Sequence, residues 1–262
     1  MMTHKKPVQN RLAFLHRNVP AYIVWLSLCL ILATWEAVVR SGSVNSLYLP
    51  SPLSIAETLF EMILSGEIAV NLLASLQRIL FGFFIGASAG ILVGLLFGFS
   101  RLAEAVGNPI VYALYPIPKI ALLPLIILWL GIGEVSKVAI IALGVFFPVV
   151  INTYAGVKNV DLLFIKVAVS FRTNRLNIIR KVIWPAALPS VFAGLKLAAG
   201  SSLLLLVAAE MIAAKEGLGA LILHYGDLMM TTNLMAGIVV LSVLGIIFNA
   251  IFAFLEKKYI VR

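Results

Sequence analysis

The chain has 262 residues, 62% of them hydrophobic and 12% charged, with a formal net charge of +9 and a mean hydropathy of +1.07. A soluble globular domain carries about a quarter charged residues, so that class is excluded. The single cysteine, Cys29, lies in an apolar run and implies no disulfide framework, and the three histidines are too scattered for a metal site.

Six apolar stretches each approach the ~20 residues needed to cross ~30 Å of hydrocarbon. They cover residues 21–39, 73–99, 110–130, 138–157, 188–211 and 234–255. The pattern predicts an all-α membrane protein with six transmembrane helices and little mass outside the bilayer. Lys5, Lys6, Arg11 and Arg17 precede the first stretch, as in a signal peptide. That stretch is longer than a signal's apolar region and no small-x-small site follows Val39, so it is expected to be a retained span. The second stretch carries Gly82, Gly86, Gly90, Gly94 and Gly98, a row at steps of four. Each step advances ~400° on a helix, so the row forms a slowly winding smooth track. Such a track either glues helices together or lets them slide. Arg78, near the start of this span, is expected to snorkel to an interface.

Pro109 stands just before the third stretch, which holds Pro116, Pro118 and Pro124, with Lys119 between two of them. Prolines remove backbone donors, and the freed carbonyls are tolerated only beside protein or water. Lys119 therefore either lines a substrate pathway or snorkels to an interface. Glu210, near the end of the fifth span, is either a pathway residue or a structural partner. Lys196 is expected to reach headgroups.

Between spans four and five the chain turns basic. From residue 157 to 185 there are Lys158, Lys166, Arg172, Arg175, Arg180 and Lys181 against one acid, Asp161. Asp161 and Thr173 are expected to cap two short helices. Leu176, Ile179, Val182 and Ile183 fall on one helical face, and Pro185 is expected to end the run. This amphipathic hairpin reads as a docking surface. Placing the N-terminus inside puts 14 Lys/Arg in inside segments, against Arg40, Lys137 and Lys215 outside. Both termini and the hairpin are thus expected to be cytoplasmic. Topology explains the basic charge without nucleic acid. No catalytic or phosphate-loop motif is present.

These segments together resemble the permease subunits of ABC importers, and more narrowly the nitrate/sulfonate/taurine/bicarbonate permease family. The matching stretches are LPSPLSIAETL (49–59), SLQRILFGFFIGASAGILVGLLFG (75–98), PIPKIALLPLIILWLGIGEVSK (116–137), FFPVVINTYAGVKNVD (146–161) and LVAAEMIAAKEGLGALI (206–222). The family's coupling signature runs Glu-Ala-Ala, then Gly, then Ile-x-Leu-Pro. Its Glu falls on Lys166, its two Ala on Val167 and Ala168, its Gly on Arg172 and its Leu-Pro on Trp184-Pro185. The Glu and the Gly are absent here. In the family that Gly permits the turn into the coupling helix, so Arg172 must make the turn with a side chain.

The resemblance implies a type I ABC importer permease fold in a bacterial cytoplasmic (inner) membrane. It implies a homodimer, two ATPase subunits that bind ATP and magnesium, and a periplasmic or lipid-anchored solute-binding protein. The ATPase-coupling residues would be Lys166, Ala168, Arg172, Thr173, Asn174, Arg175, Leu176, Ile179 and Pro185, and the chain itself would be non-catalytic. Residues 1–46 would form the N-terminus and first span, 47–255 the permease core with its hairpin at 157–187, and 256–262 a cytoplasmic tail. An ion-gradient-driven secondary transporter or channel would leave the hairpin unexplained and finds only Glu36 and Glu210 as coupling acids. An intramembrane transferase would need paired aspartates, and Asp161 and Asp227 are expected on opposite sides.

Overall fold

The structure, a computed structural model, describes residues 21–260. The basic residues Lys5, Lys6, Arg11, Arg17 and Arg262 lie outside the described residues. Among the described residues every regular element is helical. The α-helices are α1 (Ala21–Arg40), α2 (Pro52–Leu64), α3 (Glu67–Phe99), α4 (Arg101–Leu114), α5 (Leu123–Leu130), α6 (Glu134–Lys158), α7 (Leu162–Ser170), α8 (Arg175–Ile178), α9 (Trp184–Ala213), α10 (Leu218–Asp227) and α11 (Thr231–Ile260). A 3-10 turn at Lys119–Leu122 precedes α5, and a π turn at Ile179–Ile183 joins α8 to α9.

Four helical segments among the described residues are long and apolar enough to cross a membrane: α3, α6, the run Arg175–Ala213, and α11. A fifth arises if α4 and the 3-10/α5 segment are counted as one span. The two are bent by 92°. The third expected span is therefore a broken one, where the sequence places its prolines. Pro116 and Pro118 supply no N–H across residues 115–118, and the helix cannot continue through them. α1 covers the first expected span, and most of its side chains are exposed.

The bundle is organised on α6, which lies between α3 and α9. Each glycine of the row faces α6. A Cβ built at Gly82 would meet Ile141, at Gly86 Val145, at Gly90 Val149, at Gly94 Thr153 and at Gly98 Val157. Both series advance by four, so α3 and α6 run parallel and mesh along matching ridges. At Gly90 the added carbon would sit 2.9 Å from the Phe146 carbonyl oxygen, and at Gly94 2.6 Å from Thr153 Cβ. No side chain fits there without separating the helices. The smooth track is thus a packing seam.

α9 lies against the other flank of α6 in the opposite sense. Gly144 faces Leu205, Gly156 faces Ala187 and Ser190, and Gly194 faces Asn152 and the Pro148 carbonyl. Ile79, Ile140, Val145, Val149, Leu206 and Ala209 fill the core between the three helices. α11 is attached through a ring cluster in which Phe83 lies 5.3 Å from Phe248 and 4.9 Å from Phe252. Lys196 of α9 is in an ion pair with Glu256 of α11. This corrects the expectation that it reaches headgroups, because a carboxylate one helix away satisfies it.

Leucine at Gly90 or Gly94 is expected to abolish uptake and to lower the thermal midpoint of the purified protein. Overpacking of an ordinary core costs about 1–3 kcal/mol, and here the added bulk meets backbone. Normal uptake and an unchanged melting curve for both variants would refute the seam.

Candidate functional site

At the end of the bundle remote from the hairpin, Glu67, Asn71, Ser75 and Arg78 occupy α3 at spacings of four, four and three, which puts them on one helical face. Arg78 is the centre of a clamp that joins α3, α6 and α9. Its Nε and Nη2 donate to the two oxygens of Glu134 at the start of α6, at 2.6 and 2.9 Å. Its Nη1 donates to Glu210 Oε1 of α9 at 2.8 Å and to the Glu216 carbonyl at 2.6 Å. Lys137 Nζ adds a bond to Glu134 at 2.7 Å. Two cations thus meet two carboxylates.

Arg78 was expected to snorkel. Instead its side chain is 6% exposed and that of Glu210 is 0% exposed. Two acids at bonding distance hold the guanidinium inside, which is the condition under which a buried charge is tolerated. Glu210 also accepts from Ser75 Oγ at 2.8 Å and from the Gly219 amide at 2.8 Å. It is saturated by its own chain and is not among the residues lining the cavity described below. Of its two sequence readings, the geometry favours the structural partner.

The clamp also fixes the α9–α10 connection. Gly217 N donates to Asn71 Oδ1 and Leu218 N to Ser75 Oγ, both at 2.8 Å. Gly217 has φ +128°, and a Cβ there would lie 2.5 Å from Glu210 Oε1, so only glycine fits. Tyr225 of α10 donates to Glu67 at 2.7 Å. Burial, with that carboxylate accepting its hydroxyl, raises the phenol above its ordinary range. Sequence reasoning missed this network. The polar spacing on α3 was the available signal.

Lys119 occupies the 3-10 turn after the break in the third span, half-buried. Its ammonium donates to the carbonyls of Leu114, Tyr115 and Ile117, the first at 3.1 Å and the last at 2.9 Å. Pro118 has no N–H to offer Leu114, whose carbonyl accepts instead from Ile117 N at 3.2 Å and from the lysine. The nitrogen also lies 4.4 Å from the centroid of the Phe147 ring, a cation–π contact. An ammonium has three donors, and all three are engaged in stabilising the bend. Neither interfacial snorkelling nor a free pathway charge describes this arrangement.

The bend opens a cavity of about 570 Å³ at mid-height of α6 and α9. Tyr115, Lys119 and Ser201 are its polar lining, and the remainder, including Ile120, Leu197, Leu204 and Leu205, is apolar. Pro148 also faces it and interrupts the α6 ladder, while Asn152 Nδ2 donates to the Pro148 carbonyl at 2.8 Å. No group of three or more His, Cys, Asp or Glu among the described residues could hold a metal.

The basic hairpin is α7, a turn, α8 and the π turn. Asp161 caps α7 by accepting from Leu163 N at 2.8 Å. The second cap is Asn174, which accepts from Asn177 N at 2.8 Å, rather than Thr173. Thr173 is taken up by the end of α7. Its amide donates to the Ala168 carbonyl, and that of Arg172 donates to Val169, the paired bonds of a Schellman turn. Arg172 has φ +54°, the left-handed position that glycine normally occupies there. Lys166, Arg172, Arg175 and Leu176 are exposed, Ala168 and Ile179 are half-buried, and Ile178 is the side chain that packs inward. Pro185 does not end the run. It lies in the first turn of α9, where a missing N–H leaves little unmade, and the π turn carries the helix up to it.

Removing one member of the clamp strands its partner, and breaking a buried pair costs about 3–5 kcal/mol. Glu210→Ala is therefore expected to lower both the thermal midpoint and the amount of protein in the membrane. Arg78→Met/Glu210→Met should lose less than the two single substitutions summed. Melting curves in detergent check both statements, and a parental curve for Glu210→Ala would count against the clamp.

Residues 82–261 match the family described as "Binding-protein-dependent transport system inner membrane component". A putative aliphatic sulfonates transport permease protein, SsuC of Bacillus subtilis (strain 168), is 39% identical over 87% of this chain and 83% of its own length. The taurine transport system permease protein TauC of Escherichia coli (strain K12) is 33% identical over 88% of this chain and 86% of its own. Among solved structures, an inward-facing MetNI methionine ABC transporter superposes with a TM-score of 0.60 at 21% identity. That match covers 72% of this chain and 94% of the other, and shows a shared fold. The all-helical bundle with its broken span, the family match and these relatives lead to one conclusion: the chain belongs to the inner-membrane components of binding-protein-dependent transport systems and is a multi-pass permease subunit of an ABC importer.

Proposed function

We propose that this permease works as a homodimer with six spans per copy and both termini and the hairpin in the cytoplasm. Residues 47–255 would be the transport core and the hairpin at 157–187 its coupling element. Two ATPase subunits would dock there and bind the ATP and magnesium, an external binding protein would deliver solute, and this chain would perform no chemistry of its own. The orientation is supported by the 14 Lys/Arg that it places inside.

The observation that carries a substrate class is the cavity beneath the broken span. Its one cation is Lys119, and most of its lining is apolar. Nitrate or bicarbonate would need donors on every side to replace water. An anion with an aliphatic body can leave its tail on the apolar wall and its head near the ammonium. A small organosulfonate fits that description, and the sulfonate and taurine permeases are among the relatives. Because the carbonyls hold the three ammonium donors, a passing anion feels the positive field without being gripped, which suits release.

The membrane complex, purified through a tag on the permease, is expected to contain a nucleotide-hydrolysing subunit. In proteoliposomes with its binding protein it should accumulate ethanesulfonate or taurine when ATP is supplied. A preparation without any ATPase would overturn the importer assembly. Lys119→Met keeps the aliphatic stem and removes the charge. Uptake of ethanesulfonate is expected to fall at least about tenfold, the equivalent of ~1.4 kcal/mol on transport, while the ATPase still co-purifies. Parental uptake by Lys119→Met would show that the residue only caps the bend.

A further inference from the structure

The charges that the bundle encloses are matched. Arg78 and Lys137 have Glu134, Lys158 has Glu104, Lys196 has Glu256, and Lys119 has its carbonyls. The hairpin departs from that rule. Lys166, Arg172, Arg175, Arg180 and Lys181 are all exposed, and among the described residues none takes part in the ion pairs Arg78, Lys137, Lys158 and Lys196 make. Asp161 is the one carboxylate in the same stretch, and one of its oxygens is spent on capping α7. Among these cations stand several exposed apolar side chains, of which Phe171 at 80% and Leu176 at 76% are the most exposed. Arg172 retains its charge at φ +54°, although glycine would relieve the left-handed strain.

Distance separates a protein partner from a lipid one. Arg175 and Glu210 belong to one helical run, Arg175–Ala213. The 35 steps between them span about 52 Å at 1.5 Å each. A bilayer with its headgroups is ~40–45 Å thick. Even with Glu210 at the outer edge of the headgroups, and with the ~20° tilt usual for such helices, Arg175 stands beyond the inner ones. A soluble surface meets it there.

Resting on the ATPase docking proposed above, we propose that the hairpin selects its ATPase subunit by charge. The docking groove on that subunit carries an acidic rim that meets Lys166, Arg172 and Arg175, around apolar pockets for Phe171 and Leu176. Complementary charge of this kind sets association rate and partner choice more than total affinity. It excludes an ATPase whose rim is basic or neutral.

The test uses the ATPase subunit recovered with the unaltered permease, stripped and rebound to permease in nanodiscs of zwitterionic lipid. Lys166→Gln/Arg172→Gly/Arg175→Gln is expected to weaken binding at least about tenfold at ~0.05 M salt, and the difference should disappear near ~0.5 M as charges are screened. Arg172→Gly alone relaxes the turn yet should still bind severalfold more weakly. Equal or tighter binding by Arg172→Gly would mean that the residue only shapes the turn, and would overturn its part in selection. A triple variant with parental affinity and parental salt dependence overturns the whole proposal, while the importer reading survives on the co-purified ATPase. If no ATPase is recovered with the unaltered chain, the importer reading fails and this proposal with it. Weakening confined to nanodiscs containing anionic lipid would show that the hairpin reads the bilayer, which also overturns it.

Discussion

The close approach of α3 to α6 is the constraint on which the rest of the molecule depends. In hydrocarbon there is no hydrophobic gain from bringing two apolar helices together, so association rests on dispersion and needs near backbone contact. Five glycines on α3 accept five larger side chains of α6 at the same interval. Because both series advance by four, a slip of one turn brings the next glycine to the next side chain through the middle of the seam and loses one contact at its end. A slip of one or two residues replaces most of the glycines with bulkier residues such as Phe83, Phe84, Ile91 and Leu92. The seam alone thus leaves a coarse choice of register.

The clamp removes that choice. Arg78, about one turn before the first glycine of the row, bonds Glu134 at the very start of α6. A one-turn slip would move this pair about 5–6 Å apart along the axis. Glu210 then brings α9 to the same level, and the α9–α10 connection closes over it through Asn71 and Ser75. Non-directional packing and directional charge divide the work: the seam sets how close the helices lie, and the clamp sets their height.

The functional parts sit where this rigid frame is interrupted. The broken third span cannot complete its own ladder, and Lys119 completes it from the side. One lysine therefore stabilises the backbone and places a charge beside the cavity. The hairpin is the opposite case, a stretch whose cations the frame leaves unmatched. Its turn uses an arginine in the left-handed position at the end of α7, so the chain retains a charge where a glycine would be more relaxed.

Much of this was legible in one dimension. The apolar stretches, the four-step glycines, the prolines around Lys119 and the basic hairpin are local properties of the chain, and all of them are visible without a partner helix. What the sequence left open was every choice of partner. The glycine row did not say that it faces Ile141 through Val157. Arg78 read as a snorkelling side chain, and Glu210 had two readings. The cap of α8 fell one residue from its expected place, because Schellman bonds at the end of α7 occupy Thr173. The physical reason is common to these cases. Along a membrane helix the lipid face and the packed face are both apolar, so periodicity does not tell one from the other. Only the neighbouring helix decides which side is buried, and with it whether a charge finds a carboxylate or must seek water.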